Sequence, residues 1–267
     1  MDPTTVLINA RSSIAAVTAQ TANLLRSLTD ADARIAGTDW SVREAAVHLV
    51  NFAHVNADVA AGVPSPRMSL AREAVALDND RRIADVPETD PEKLAGLVVD
   101  AVDWFLDATA ERPGSQKVIW HCGFPINLAE LACIELGELV LHGYDMATAV
   151  GSPWPIDPVH ARMILYGYEP CFGLVANEEQ IKGLTASYGI VLRGGTCFTM
   201  RFVNGAYRLE PPESGPIDCT ILAEPVAFLL MGSGRLSQWA AIALGLVNIE
   251  GPRPELALGF PDLFTYP

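Results

Sequence analysis

Residues 127–150 read NLAELACIELGELVLHGYDMATAV, and the rest of the chain takes its meaning from this stretch. Asn127 followed three residues later by Glu130 has the form of a helix-start capping box, and Gly151 supplies the stop. Between them almost every position is apolar or small: Leu131, Ile134, Leu136, Leu139, Val140, Leu141, Met146 and Ala147. The exceptions are Glu135, Glu138, His142 and Asp145. At about 100° per residue these four fall within an arc of roughly 80°. The segment is therefore a helix that is apolar nearly all round, with one narrow acidic and histidine-bearing stripe. An ordinary solvent-facing stripe is wider and carries Lys or Arg. This one has neither.

Three more helices surround it in the first 150 residues. The segment from about Pro3 to Leu28 repeats Val6, Ala10, Ile14, Val17, Leu24 and Leu28 at helical spacing. A second begins at Ser41, where Ser41-Val-Arg-Glu44 is again a capping box, and turns Val42, Leu49, Phe52 and Val59 toward a core. A third, from about Pro91 to Ala110, presents Leu94, Leu97, Val98, Val102, Phe105 and Leu106. Four long amphipathic helices predict a bundle. The Pro-rich stretch 62–90 reads as a crossover with a short helix near 69–80.

After Gly151 the punctuation changes. Ser152-Pro-Trp-Pro reads as a linker, and a helical segment follows from about Asp157. From Gly189 the period becomes two: 190–193, 197–203 and 206–210 read as strands joined at Gly194-Gly195 and Asn204-Gly205, the latter a strong hairpin signal. Residues 218–222 make another strand, 225–232 and 238–244 read as helices, and 246–250 as a last strand. The expected architecture is a helical domain over 1–151 followed by an α+β domain over 152–267 with an antiparallel sheet.

Bulk properties narrow the function. A 50% hydrophobic, 19% charged composition is that of a globular chain. A formal net charge of −14 leaves no basic surplus for nucleic acid or an anionic membrane. No signal peptide or membrane span is read at the start or elsewhere. Cys122, Cys133, Cys171, Cys197 and Cys219 form no CxxC pair and fit a reducing compartment, so the expectation is a cytoplasmic protein.

Glu138 and His142 stand four apart on one helix face, so their heads can converge. Carboxylate oxygen and imidazole nitrogen are both zinc donors, and a catalytic centre needs a third from elsewhere. His48, mid-helix in Ala45-Ala-Val-His48-Leu-Val, is the candidate, because an unpartnered imidazole near an apolar face is costly. The bland alternatives are a core histidine satisfied by hydrogen bonds and an ordinary helix-surface pair. Asp145, one turn beyond His142, reads as an outer partner of its second ring nitrogen or as a helix-end charge. Glu44 reads as a cap. His121 and Cys122 precede the quoted helix and either edge a pocket or are structural.

Trp40-Ser-Val-Arg-Glu44 with His48-Leu, and Glu138-Leu-Val-Leu-His142-Gly-Tyr-Asp145-Met-Ala, resemble the two signatures of the mycothiol-dependent maleylpyruvate isomerase family. Asp218-Cys-Thr-Ile-Leu-Ala-Glu-Pro-Val-Ala-Phe-Leu-Leu and Gly234-Arg235 through Phe264 resemble its sterol-carrier-like half, so the resemblance spans nearly the whole chain. It implies a DinB-like four-helix bundle holding a divalent metal, normally zinc, on His48, Glu138 and His142. It also implies mycothiol as thiol cosubstrate, a small-molecule electrophile, and isomerase or S-transferase chemistry. Arg235 matches a family arginine implicated in binding or catalysis, the alternative being a surface arginine beside a turn. Tyr144 stands where the family usually has Trp. A zinc hydrolase that uses no thiol, and a non-enzymatic carrier of a small apolar ligand, are the rival readings.

Overall fold

The computed structural model describes residues 2–212 and 214–265. The chain divides into two compact units, one running up to Ile156 with Tyr166–Tyr168 added, the other comprising Asp157–Leu165 and the chain from Glu169 onward.

The first unit is built on α1 (Pro3–Arg26), α2 (Val42–Ala60), α4 (Pro91–Thr109) and α5 (Leu128–Ala149), with α3 (Arg72–Ala84) in the crossover. The long helices pack in a closed ring of neighbours, α1 against α4 and α5, and α2 against α4 and α5. Ile14, Leu25, Leu49, Leu94, Phe105, Leu131, Ile134 and Leu136 are buried at the centre. Each such apolar side chain contributes about 1.5–3 kcal/mol on burial. As its composition predicts, α5 is buried on nearly every face.

Both capping boxes form. Ser41 N–H donates to Glu44 Oε2 at 2.6 Å and Glu44 N–H to Ser41 Oγ at 3.3 Å. At α5, Asn127 N–H donates to Glu130 Oε2 at 2.7 Å and Glu130 N–H to Asn127 Oδ1 at 2.9 Å. These caps fix where α2 and α5 begin, and hence the angular position of every side chain that follows. Helix α3 starts later than the spacing predicts, because Ser69 Oγ accepts the Ala71 N–H at 3.1 Å and holds the preceding backbone in a turn.

A small hairpin precedes α5. Strands β1 (Lys117–Ile119) and β2 (Pro125–Asn127) pair antiparallel around a 3-10 turn at His121–Gly123. Three-residue strands are too short to show a period, and the sequence gives no sign of them.

The second unit holds a five-stranded sheet in the order β5-β4-β3-β6-β7: β3 (Ala186–Leu192), β4 (Cys197–Val203), β5 (Ala206–Glu210), β6 (Cys219–Ala223) and β7 (Val247–Glu250). It also carries α6 (Pro158–Tyr168, shared with the first unit), α7 (Glu178–Ile181), α8 (Pro225–Gly232) and α9 (Gln238–Ala243). Asn204 and Gly205 take φ of +50° and +84°, the paired positive values that a tight two-residue hairpin requires. The sheet is antiparallel except between β3 and β6, which run parallel with Tyr188 beside Cys219. Strand β3 begins earlier than the alternation predicts. Ala186 to Ile190 are buried without interruption, so no period marks them.

Among the described residues no helix is long and apolar enough to cross a membrane. Two helical glycines make opposite predictions. A Cβ on Gly143 of α5 would lie 2.1 Å from the Trp154 indole, whereas one on Gly96 of α4 meets nothing within 4 Å. Gly143→Ala should cost about 1–3 kcal/mol by overpacking, and Gly96→Ala should gain about 0.5–1 kcal/mol of helix propensity. Urea unfolding midpoints that move in the same direction for both would contradict these packing assignments.

Candidate metal centre

Helix α2 brings His48 to the seam with α5, opposite Glu138 and His142. His48 Nε2 lies 3.1 Å from Glu138 Oε2, and His142 Nε2 lies 3.4 Å from the same oxygen. The three donor atoms all fall within 4.8 Å of one another. Their side chains are 8%, 19% and 18% exposed, so the cluster sits in a wall rather than in bulk water. The two imidazoles meet edge to face, with centroids 4.9 Å apart. Trp40, just before the Ser41 cap, packs over both at 4.9 and 5.8 Å. The sequence gives no direct sign of this contact, although Trp40 heads the first motif.

The donor set fits a divalent cation. Tetrahedral ligands about 2.1 Å from zinc stand about 3.4 Å apart; the His142–Glu138 separation equals that spacing and the His48–Glu138 separation is 0.3 Å shorter. Asp145 Oδ2 lies 3.3 Å from His142 Nδ1. That contact holds a proton on Nδ1 and aims Nε2 toward Glu138, the outer support usual for a metal-ligating histidine. Glu44 is occupied at the cap and by Arg34 at 3.5 Å. Arg235 lies in the second unit, in the turn after α8, where its guanidinium donates to the Ser233 carbonyl at 3.0 Å.

Electrostatics separates the members of the cluster. Burial pulls the basicity of His48 down, more than its hydrogen bond to Glu138 restores. Burial also opposes charge on Glu138 and His142, but there the partners win. Hydrogen bonds from His142 and His48 hold the Glu138 carboxyl well below the usual carboxylate range. Those to Asp145 and Glu138 push His142 up to about 9.

Glu135, one turn before Glu138, behaves in the opposite way. It is 1% exposed, and its Oε2 accepts from Asn56 Nδ2 at 2.8 Å. Asn56 in turn accepts from Trp120 Nε1 at 3.3 Å. Glu135 Oε1 has no partner among the described residues. Burial raises its pKa to about 8, against the smaller opposing effect of the Asn56 bond. His48, Phe52 and Asn56 follow one another at intervals of four along α2, so this spacing could have revealed Asn56. Beside His48 opens a small cleft, whose walls include Phe52, Ser65, Arg67, Asn79 and His121. Ser65 and Arg67 come from the part of the crossover ahead of α3, which carries no readable period, and Asn79 from α3 itself.

The family model for the mycothiol maleylpyruvate isomerase N-terminal domain matches residues 14–147, half of the chain. The chain belongs to that family. Residues 174–264 match the model of the SCP-2 sterol transfer family. The structure is similar to the crystal structure of the mycothiol-dependent maleylpyruvate isomerase, with TM-score 0.53 and 16% identity over 87% of this chain and 90% of that one. It is also similar to a histidine-to-alanine mutant of that enzyme, with TM-score 0.54 and 14% identity over 91% and 92% of the two chains. At these identities the likeness establishes the fold, a helical N-terminal region followed by a sheet with helices. No curated protein matches the chain.

Glu135 yields a prediction with a definite sign. A carboxyl whose pKa rises from 4.5 unfolded to about 8 folded stabilises the fold below pH 4.5 and loses that contribution as pH climbs toward 8. Glu135→Gln should flatten the decline across this window, which amounts to a few kcal/mol, and leave the protein more stable at pH 8. Denaturant titrations of the two proteins at pH 5 and pH 8 check it; parallel pH profiles would refute it.

Proposed function

We propose that the chain is a metal-dependent, thiol-using enzyme that joins a thiolate to a small electrophile, as a cis–trans isomerase or an S-transferase, with mycothiol as the thiol. The observation that carries this reading is the meeting of His48, Glu138 and His142, two imidazoles and one carboxylate, with their donor atoms within 4.8 Å of one another. Membership of the mycothiol maleylpyruvate isomerase family supports the choice of thiol and reaction class. Residues 1–151 form the metal-binding domain in this reading, and 152–267 a linker helix and sterol-carrier-like domain.

His48, Glu138 and His142 would hold the cation, zinc by the chemistry of the donors. A divalent cation held by three protein ligands keeps one exchangeable place and supplies the Lewis acidity that lets a thiol lose its proton at neutral pH. Asp145 fixes the tautomer of His142. Trp40 covers both imidazoles and limits the approach of water. Arg235 is assigned to substrate binding, where a guanidinium would grip a carboxylate with two parallel hydrogen bonds.

A second reading draws on the other unit, where Phe172, Met200, Phe228, Met231, Phe260 and Phe264 line a small apolar pocket. It makes the chain a carrier of a small apolar ligand. Binding of such a ligand that survives replacement of all three donors, in a protein without turnover, would favour the carrier. Turnover with no thiol added would favour a hydrolase.

Metal analysis of the purified protein should find one equivalent of divalent metal. Cobalt-substituted protein titrated with mycothiol should develop a thiolate-to-cobalt band. His48→Ala, Glu138→Gln and His142→Ala should each weaken metal binding by about 100-fold or more, and Asp145→Asn by about 10- to 100-fold. With His142 protonated up to about pH 9 in the metal-free protein, binding at pH 8 should release about one proton. Substoichiometric metal, or cobalt protein whose spectrum ignores the thiol, would end the thiol-enzyme reading.

A further inference from the structure

His121 occupies a place that the metal centre does not explain. It is 3% exposed and lines the same cleft as His48. Its imidazole is clamped from several sides. The Trp120 ring stacks on one face at 4.1 Å and 19°, and Phe52 meets it edge-on at 6.2 Å and 87°. Trp120 is itself held by Asn56. The backbone that delivers the ring is strained, since Cys122 sits at φ +56°, and the Cys122 N–H is tied to the Arg67 carbonyl at 2.7 Å.

Ser65 fixes the tautomer. Its Oγ accepts the Arg67 backbone N–H at 3.2 Å and lies 2.6 Å from His121 Nδ1. Nδ1 is the acceptor within reach of the hydroxyl proton among the described residues, and donation to it leaves the ring proton on Nε2. That N–H has no partner among the described residues. Burial, with the charge of Arg67, pushes the basicity of the ring down to about 3, so it stays neutral and offers an N–H donor, never an imidazolium. A rigid, desolvated and uncommitted donor in a cleft wall suits an oxygen whose charge grows during reaction. Neutral imidazoles perform this task in other enolising enzymes.

We infer that His121 Nε2–H is the donor that receives the carbonyl oxygen of a conjugated electrophile as thiolate adds to it. The inference rests on the proposed thiol chemistry, and what it adds is the role of His121 toward electrophiles that carry a conjugated carbonyl. A sulfur lone pair forms the C–S bond at the β-carbon. The double-bond pair moves to the bond between the α-carbon and the carbonyl carbon, and the carbonyl π pair goes to oxygen as an enolate. The Nε2–H proton stays on nitrogen and hydrogen-bonds that oxygen. Rotation about the former double bond and return of the electron pair expel the thiolate and leave the trans isomer. Protonation of the α-carbon by water instead retains the sulfur as an adduct. Neither outcome consumes an oxidant or reductant.

The test compares two electrophiles on the metal-loaded enzyme with mycothiol: cis-acetylacrylate, which forms an enolate, and benzyl chloride, which does not. His121→Phe should lower kcat on cis-acetylacrylate by about 100- to 1,000-fold, the usual loss for one oxyanion donor. It should leave metal content, the cobalt–thiolate band and the benzyl chloride rate unchanged, and His121→Gln should restore part of the loss. Levulinate, a saturated analogue, should shift the nitrogen NMR signal of the His121 Nε2–H in wild type. Equal losses on both electrophiles, no loss on cis-acetylacrylate, or an Nδ1–H ring would overturn the inference. If His121→Phe does not fold, Ser65→Ala, which frees the tautomer, should give a smaller loss confined to cis-acetylacrylate; an unselective loss would again overturn it. Wild-type protein with no metal or no cobalt–thiolate band would overturn the proposed thiol chemistry and this inference together. An intact band with an unselective variant overturns the inference alone.

Discussion

Glu138 carries one oxygen between two imidazoles in the wall of a helical bundle, and the rest of the first unit is organised around making that arrangement tolerable. A carboxylate shielded from water costs several kcal/mol unless positive or donating groups meet it. Here they come from both sides of a helix seam, from His48 on α2 and His142 on α5. Two capping boxes fix where those helices begin, Asp145 secures the second nitrogen of His142, and Trp40 closes over both rings. Removing Glu138 would take from both imidazoles the oxygen they share.

Two carboxyls one turn apart on α5 meet opposite fates, and the difference lies wholly in what faces them. Glu138 has two imidazoles and stays ionised; Glu135 has one amide, one unpartnered oxygen and a raised pKa. The same helix thus holds one charged and one neutral acid. The amide of Asn56 links the neutral acid to Trp120, and Trp120 stacks on His121, so the polar groups beside the cleft form one connected set.

The features legible in the sequence were those with a repeating spacing. The narrow stripe on α5, the caps at Ser41 and Asn127, and the Asn204-Gly205 turn all follow from local chemistry that needs no knowledge of the rest of the fold. Periodicity alone did not say that α2 and α5 are neighbours; that expectation came from family resemblance. Ser65 and Arg67 reach the cleft from a stretch without a period, and the β1–β2 hairpin that delivers His121 is too short to have one. Strand β3 hides its first residues because they are buried without alternation, and its parallel pairing with β6 leaves no mark on either strand alone.

The antiparallel seam between α2 and α5 has a thermodynamic consequence. The donors are far apart along the chain and come together only when these helices are docked, so an ion that binds the folded bundle and not the unfolded chain adds its binding free energy to the stability of the fold. The linkage is reciprocal. A packing defect along the seam that favours an undocked state would therefore weaken retention of any ion held there, even where it touches no donor atom.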